Sequence, residues 1–345
     1  MNNFFYFFFV FFLVVEIHAQ SYKALFIGNS YTSVNSLPDL VSEMFSSDGD
    51  TLSYYMSAPG GCTFEQHCNI SLSYIQQGGW DYVILQEQSQ LPSFPENQFI
   101  QQSYPFAQQL CSIVRQYNPD VHILFYMTWG RKNGDAQNCQ YYPPLCTYEG
   151  MDSLLYARYM MMASDNQTLV SPVGAAWHKI RDDYPDMELY QSDESHPSYF
   201  GSYVAACCFY TMMTNRDPVN IQWNGTLSAA EANIAKETVK KVVYDSLSKW
   251  NFENVIIPDD STGIVNHDNP LSIFPNPANQ TLYVRTPDLF KQPTLTIIDM
   301  YGHVVANYSE FDSKAINVSM LKNGIYLLSI SDGNNHFSKI FTIAR

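Results

Sequence analysis

The chain has 345 residues, 33 acidic against 18 basic, for a formal net charge of -15, with 46% apolar and 15% aromatic side chains. That length suits about two domains of ~100–200 residues each, and a charged fraction of only 15% beside so many aromatics excludes disorder as the main state. An acidic chain without a Lys/Arg run offers no electrostatic footprint for nucleic acid or for an anionic bilayer.

Residues 1–19 hold an unbroken apolar run from Phe4 to Val15 and then Ile17-His18-Ala19. The run is shorter than the ~20 residues that span a bilayer and matches the apolar region of an export signal cut after Ala19. No Lys or Arg precedes the run, which leaves a retained N-terminal anchor as the alternative. No other segment approaches spanning length, so no stable membrane insertion is expected of the mature protein.

Residues 20–252 alternate continuous apolar runs with longer amphipathic stretches. KALFIG (23–28), DYVILQ (81–86) and VHILFYMTW (121–129) read as buried strands of a parallel sheet, and LPDLVSEMF and FAQQLCSIVRQY as helices with one apolar face. A late helix opens on the capping pair Ser228 and Glu231 and keeps Ala235, Val239, Val242, Val243 and Leu247 on one side. The pattern predicts a doubly wound α/β domain, whose ligand crevice lies outside the carboxyl ends of the strands. Of the seven cysteines, Cys62/Cys68 and Cys139/Cys146 are spaced to close small loops. Cys207 and Cys208 read as buried helix residues, and an odd count leaves a free thiol.

Residues 253–270 lose all periodicity and read as a linker. Beyond them, in 271–345, LSIFP, TLYVRT, TLTIID, HVVANY, AINVS, IYLLSIS and SKIFTIA alternate and are separated by Asn, Gly, Asp and Pro, the pattern of a small all-β sandwich.

Four segments fall at the predicted strand ends or beside them. Gly28-Asn29-Ser30 follows the first strand, where a Ser can present both its hydroxyl and its N–H to the crevice; a capped βα turn or a phosphate-binding turn are the plainer readings. Gly60-Gly61 follows the second apolar run and lets backbone N–H groups approach a ligand. Gln86-Glu87-Gln88-Ser89 follows the third strand and carries side-chain amides. Near the far end, Asp193-Glu194-Ser195-His196 puts an Asp where it can accept an imidazole N–H and free the other ring nitrogen to take a proton. Together these make Ser30, Asp193 and His196 a triad hypothesis. Trp129, after the fourth strand, is either a stacking face for a sugar ring or a core aromatic.

FIGNSYT, the Gly60-Gly61 loop, DYVILQEQS and DESHPSYFGSY resemble the sequence blocks of SGNH (GDSL-type) hydrolases over residues 22–250. The resemblance implies a flavodoxin-like three-layer α/β/α fold and an esterase site without metal or organic cofactor: Ser30 nucleophile, His196 base, Asp193 its orienter, and an oxyanion hole of Ser30 N–H, Gly61 N–H and the Gln88 side chain. In the third block the family's Gly-x-Asn-Asp is replaced by Gln-Glu-Gln-Ser, so Gln86 is the rival donor to Gln88. FPNPANQTLYV, IIDMYGHVV, MLKNGIYLLSI and the final KIFTIAR resemble the type A sorting domain of the bacterial type IX secretion system over residues 271–345. That resemblance implies the type IX secretion machinery as a partner and a secreted or cell-surface location. The expected function is a secreted serine esterase removing small acyl groups, acetyl foremost, from carbohydrate or related esters. The alternative is a carbohydrate-binding or adhesion protein that uses the same crevice without turnover.

Overall fold

The computed structural model describes residues 19–253 and, further on, 272–274, 278–285, 293–299, 304–309, 311, 315–332 and 336–343. The expected export signal up to residue 18 and the linker from 254 lie outside the described residues. The chain divides into two compact units, Met1–Ile257 and Pro258–Arg345.

In the first unit, five parallel strands, β1 (Ser21–Ile27), β2 (Thr51–Ser57), β3 (Tyr82–Leu85), β4 (His122–Tyr126) and β5 (Leu169–Ser171), form one sheet in the order β2-β1-β3-β4-β5. This is the flavodoxin-like order, with its reversal point at β1. The helices are α1 (Ser30–Ser33), α2 (Leu37–Ser47), α3 (Phe64–Ile70), α4 (Leu72–Ile75), α5 (Glu96–Gln102), α6 (Tyr104–Tyr117), α7 (Tyr148–Asn166), α8 (Val173–Asp183), α9 (Tyr199–Thr214) and α10 (Ala229–Val242). Adjacent strand residues point to opposite faces of the sheet. Phe125 accordingly packs on Phe64 of α3 and Tyr159 of α7, while Tyr126 packs on Phe209 of α9. Those contacts define the two helical layers.

The strand ends are in register: Ile27 pairs with Ser57 and Leu85, and Leu85 with Phe125. The segments that follow them therefore leave the sheet at one edge. β5 is only three residues long, too short to stand out as an apolar run, and was not among the expected strands. The Ser228/Glu231 capping box forms as expected, but α10 stops at Val242, and Leu247 sits in a separate turn over Tyr244–Trp250. Cys207 and Cys208 are fully buried on α9. Cys139 and Cys146 form a disulfide, whereas Cys62 and Cys68 are free and buried.

In the second unit every expected segment is a strand: β6 (Ser272–Phe274), β7 (Thr281–Arg285), β8 (Thr294–Asp299), β9 (Val304–Tyr308), β10 (Ala315–Asn317), β11 (Gly324–Ser331) and β12 (His336–Ile343). They form two antiparallel sheets, β10-β7-β6 and β12-β11-β8-β9. Alternation fixes the core: Tyr326, Leu328 and Ile330 of β11 are buried while their neighbours are half-buried.

Candidate active site

The turn after β1 is the centre of the site. Gly28 is required by close approach, because a Cβ there would lie 2.4 Å from Thr32 Oγ1 and 2.7 Å from Gln86 Oε1. Asn29 caps α1, its Oδ1 accepting from Tyr31 N–H at 3.1 Å. The cap puts Ser30 at the first position of α1, half-buried, and its N–H donates to no group among the described residues.

Ser30 Oγ lies 2.8 Å from His196 Nε2, and His196 Nδ1 is hydrogen-bonded to Asp193 Oδ2. Asp193 Oδ1 accepts two backbone N–H groups, Ser195 at 3.1 Å and His196 at 2.9 Å, so the carboxylate organises the loop that carries the imidazole. Partial burial pushes the Asp193 carboxyl up, but the bonds from the His196 side chain and the two backbone N–H groups outweigh it, and its pKa falls below the ordinary value. A carboxylate at Nδ1 fixes the proton there, and leaves the Nε2 lone pair facing the Ser30 hydroxyl. The Asp193 side chain remains 47% exposed and that of His196 31%.

The loop is held from three directions. It folds back on itself through Gln191 N–H to His196 O at 2.8 Å, with Glu194 in the left-handed region at φ 62°. Lys132 N–H, beyond β4, donates to Glu194 O at 2.9 Å. Asn35 Nδ2 reaches Pro197 O at 3.1 Å and Ser198 O at 3.0 Å, and Ser198 caps α9. Tyr31, next to the Ser, is buried and bonds Ser195 Oγ at 2.6 Å, with Ser89 as its second hydroxyl partner; burial foremost raises its pKa. Tyr31 and Asn35 were not among the expected site residues. An aromatic directly after the strand-end Ser was the visible signal for the first; nothing local marks the second.

Trp129 is not a ligand platform. It is fully buried, sandwiched between Tyr31 and Trp177 with ring centroids 4.8 and 3.7 Å away, and its indole N–H donates to Ser195 O at 3.1 Å. The core-aromatic alternative holds, and the ring supports the histidine loop from behind.

Gln86 is likewise corrected. It is fully buried; its Oε1 accepts from Asn29 N–H and Thr32 Oγ1, both at 2.9 Å, and its Nε2 donates to the Glu87 carbonyl. It builds the Ser turn from below and presents nothing to a ligand. Gln88 is half-buried. Its Oε1 accepts from Gln90 N–H at 2.8 Å and Leu91 N–H at 3.1 Å, which orients the amide, and its Nε2 donates to Gln90 Oε1 at 3.1 Å. An amide nitrogen carries two hydrogens, and among the described residues only one is engaged.

Gly61 is exposed with φ +68°, a conformation that favours Gly, and its N–H has no partner among the described residues. Its loop is tied to the Ser turn by Asn29 Nδ2, which donates to Cys62 O at 3.1 Å. Glu87, fully buried, ties the same loop to the β3 end: Oε1 accepts from Phe64 N–H at 2.9 Å and Gln88 N–H at 2.7 Å, and Oε2 from Ser103 Oγ at 2.7 Å. Burial pushes its carboxyl up to about 7 against those three bonds. His67, also buried, donates from Nε2 to Gly28 O at 2.8 Å, and burial above all lowers its pKa. Among the described residues no group of three or more His, Cys, Asp or Glu could hold a metal ion, and no helix is long and apolar enough to cross a membrane.

Residues 272–344 match the model of the secretion system C-terminal sorting domain. The domain marks the chain for export to the medium or the bacterial cell surface, with the type IX secretion machinery as its partner. No curated protein matches the sequence. Among solved structures, the chain is similar to a DUF4886 family protein from Bacteroides uniformis, at 17% identity and a TM-score of 0.57 over 66% of this chain and 95% of that one, which establishes a shared fold. It is also similar to a lipase/acylhydrolase from Enterococcus faecalis (15% identity, TM-score 0.40, 55% and 93% covered). An acetylxylan esterase from Geobacillus stearothermophilus gives 18% identity and a TM-score of 0.40, with 57% and 96% covered. The chain thus joins a flavodoxin-like α/β/α unit to a secretion system C-terminal sorting domain.

Proposed function

We propose that this protein is a secreted serine ester hydrolase of the SGNH type, built on Ser30, His196 and Asp193. The observation that carries the reading is the continuous hydrogen-bonded series from Ser30 Oγ through both nitrogens of His196 to Asp193. Ser30 attacks the acyl carbonyl as His196 Nε2 takes its proton. The N–H groups of Ser30 and Gly61 and the Gln88 amide receive the negative oxygen of the tetrahedral intermediate. Collapse expels the alcohol, protonated by His196. Water, deprotonated by His196 in turn, then releases the acid from Ser30.

The substrate class we infer is supported by the exposure of the site residues. Ser30 is half-buried while Gly61 and Asp193 are exposed, so the chemistry takes place at a shallow rim. A shallow rim suits a short acyl group, acetyl foremost, on a bulky alcohol such as a carbohydrate met outside the cell. Incubating the protein with p-nitrophenyl acetate and with a fluorophosphonate probe tests the reading. Hydrolysis and labelling should both be present in the wild type and both disappear in Ser30→Ala. A folded wild-type protein that takes no label would overturn it in favour of a carbohydrate-binding or adhesion role for the crevice.

A further inference from the structure

Between β4 and α7 the chain makes a long excursion that the esterase chemistry does not use. Its centre is Asp135, a fully buried carboxylate. Oδ1 accepts from Arg131 Nη1 at 3.1 Å and Gln137 N–H at 3.2 Å; Oδ2 accepts from Gln90 Nε2 at 2.6 Å and Asn138 Nδ2 at 2.7 Å. The backbone of Asp135 is pinned as well, its N–H donating to Leu145 O at 2.7 Å and its carbonyl accepting from Cys139 N–H at 2.9 Å. Cys139 is disulfide-bonded to Cys146, immediately after Leu145. Both of these backbone partners therefore border the disulfide.

The bond to Gln90 decides what this structure is for. A Gln side chain has one oxygen and one nitrogen at its end, so a carboxylate that captures the nitrogen turns the oxygen the other way. In Gln90 that oxygen faces Gln88 Nε2 at 3.1 Å. The backbone N–H of Gln90 in turn holds Gln88 Oε1 at 2.8 Å. A Gln has one more rotatable bond than the Asn it replaces in the family's third block, and an oxyanion donor must be held still to act. The two-step connection from Asp135 supplies that restraint.

We propose that Asp135 is a positioning residue: through Gln90 it fixes the Gln88 amide for the oxyanion, and the Cys139–Cys146 disulfide secures the loop that carries it. This rests on the esterase reading and on Gln88 as donor. It also ties full activity to an oxidised loop, as befits a protein that works after export.

The test is a double-mutant cycle in the full chain with p-nitrophenyl acetate, reading kcat and KM separately. Gln88→Ala should lower kcat about 100-fold, and Asp135→Asn about tenfold with KM nearly unchanged. The double variant should fall no further than Gln88→Ala, because both changes remove one function. Gln90→Met, which cuts the connection while leaving the Asp135 loop in place, should repeat the Asp135→Asn result and serves if that variant does not fold. Reduction of the disulfide should lower kcat in the wild type and not in Gln88→Ala. Losses that multiply in the double variant, or a wild-type kcat in Gln90→Met, would overturn the proposal while leaving Ser30 chemistry intact. A wild type without hydrolysis or labelling would instead remove the esterase reading beneath it.

Discussion

The loop that carries Asp193 and His196 and the strand end that carries Gln86 to Gln90 both close on the Gly28–Ser30 turn, yet they are held in opposite ways. In the first, the catalytic pair itself is exposed and short-range: Asp193 and His196 are three residues apart, and one carboxylate binds both the ring and the backbone of its own loop. The second is buried and long-range in Gln86 and Glu87, which are bonded to Asn29 and Thr32, to the start of α3 and to Ser103. The difference separates groups whose position comes from local chain geometry from groups whose position comes from the packed fold. It predicts that damage to Asp193 or His196 appears in turnover and damage to the fully buried Gln86 or Glu87 in stability.

The largest expected effect is on the exposed side. Asp193→Ala should reduce kcat by about 10³-fold, since the imidazole loses the partner that fixes its tautomer. Because the Asp193 side chain is 47% exposed, the unfolding midpoint should scarcely move. Steady-state kinetics and a thermal melt on the same preparation check both parts. A modest kinetic effect with a large fall in stability would reverse the contrast, making the carboxylate a loop brace first.

The two sides were also unequally legible in the sequence. Ser, Asp and His stood out because the first follows a strand run and the other two lie within one loop, so chain-local spacing was enough to nominate them. Gln86 and Trp129 misled for one shared reason. Each sits just past a strand run, where a side chain is free to face the crevice or to turn inward, and only tertiary contacts decide. Gln86 turns inward because Asn29 N–H and Thr32 Oγ1 need an acceptor there; Trp129 because Tyr31 and Trp177 flank it. The partnership of Asp135 with Gln90 spans 45 positions and leaves no periodic trace. In the sorting domain, by contrast, alternation with a period of two marked every strand, because burial on one face of a sheet imposes that period directly.

A middle-sized effect sharpens the buried side. The Glu87 carboxyl, raised by burial to about 7, stays protonated in the folded protein at pH values where the unfolded chain has already released its proton. Its contribution to stability is therefore fully present below the unfolded value of about 4.3 and is lost as pH rises through about 7, a swing of about 4 kcal/mol. Glu87→Gln keeps an oxygen for the Phe64 and Gln88 N–H groups and leaves its amide beside the Ser103 hydroxyl, without the titrating proton. Denaturant melts from pH 5 to 8 should lose stability with rising pH in the wild type and be flatter by most of that amount in Glu87→Gln. Parallel curves would mean that Glu87 is ionised throughout.

The smallest effect tests the point where the two sides meet. Trp129 is packed like a core residue, yet its indole N–H reaches Ser195 O in the loop that holds His196. Trp129→Phe keeps a ring between Tyr31 and Trp177 and removes the donor, so one buried carbonyl loses a bond worth about 1 kcal/mol. For a unit of this size that is roughly 2–4 °C in the unfolding midpoint. Turnover should drop only a few-fold, because Asp193 and the Gln191-to-His196 backbone bond still shape the loop. KM for an acetylated oligosaccharide is the deciding number. A ring with no exposed face cannot stack on a sugar, so KM should hold at its wild-type value; a tenfold rise with the midpoint unchanged would mean that Trp129 opens to the substrate, and that the histidine loop moves when it does.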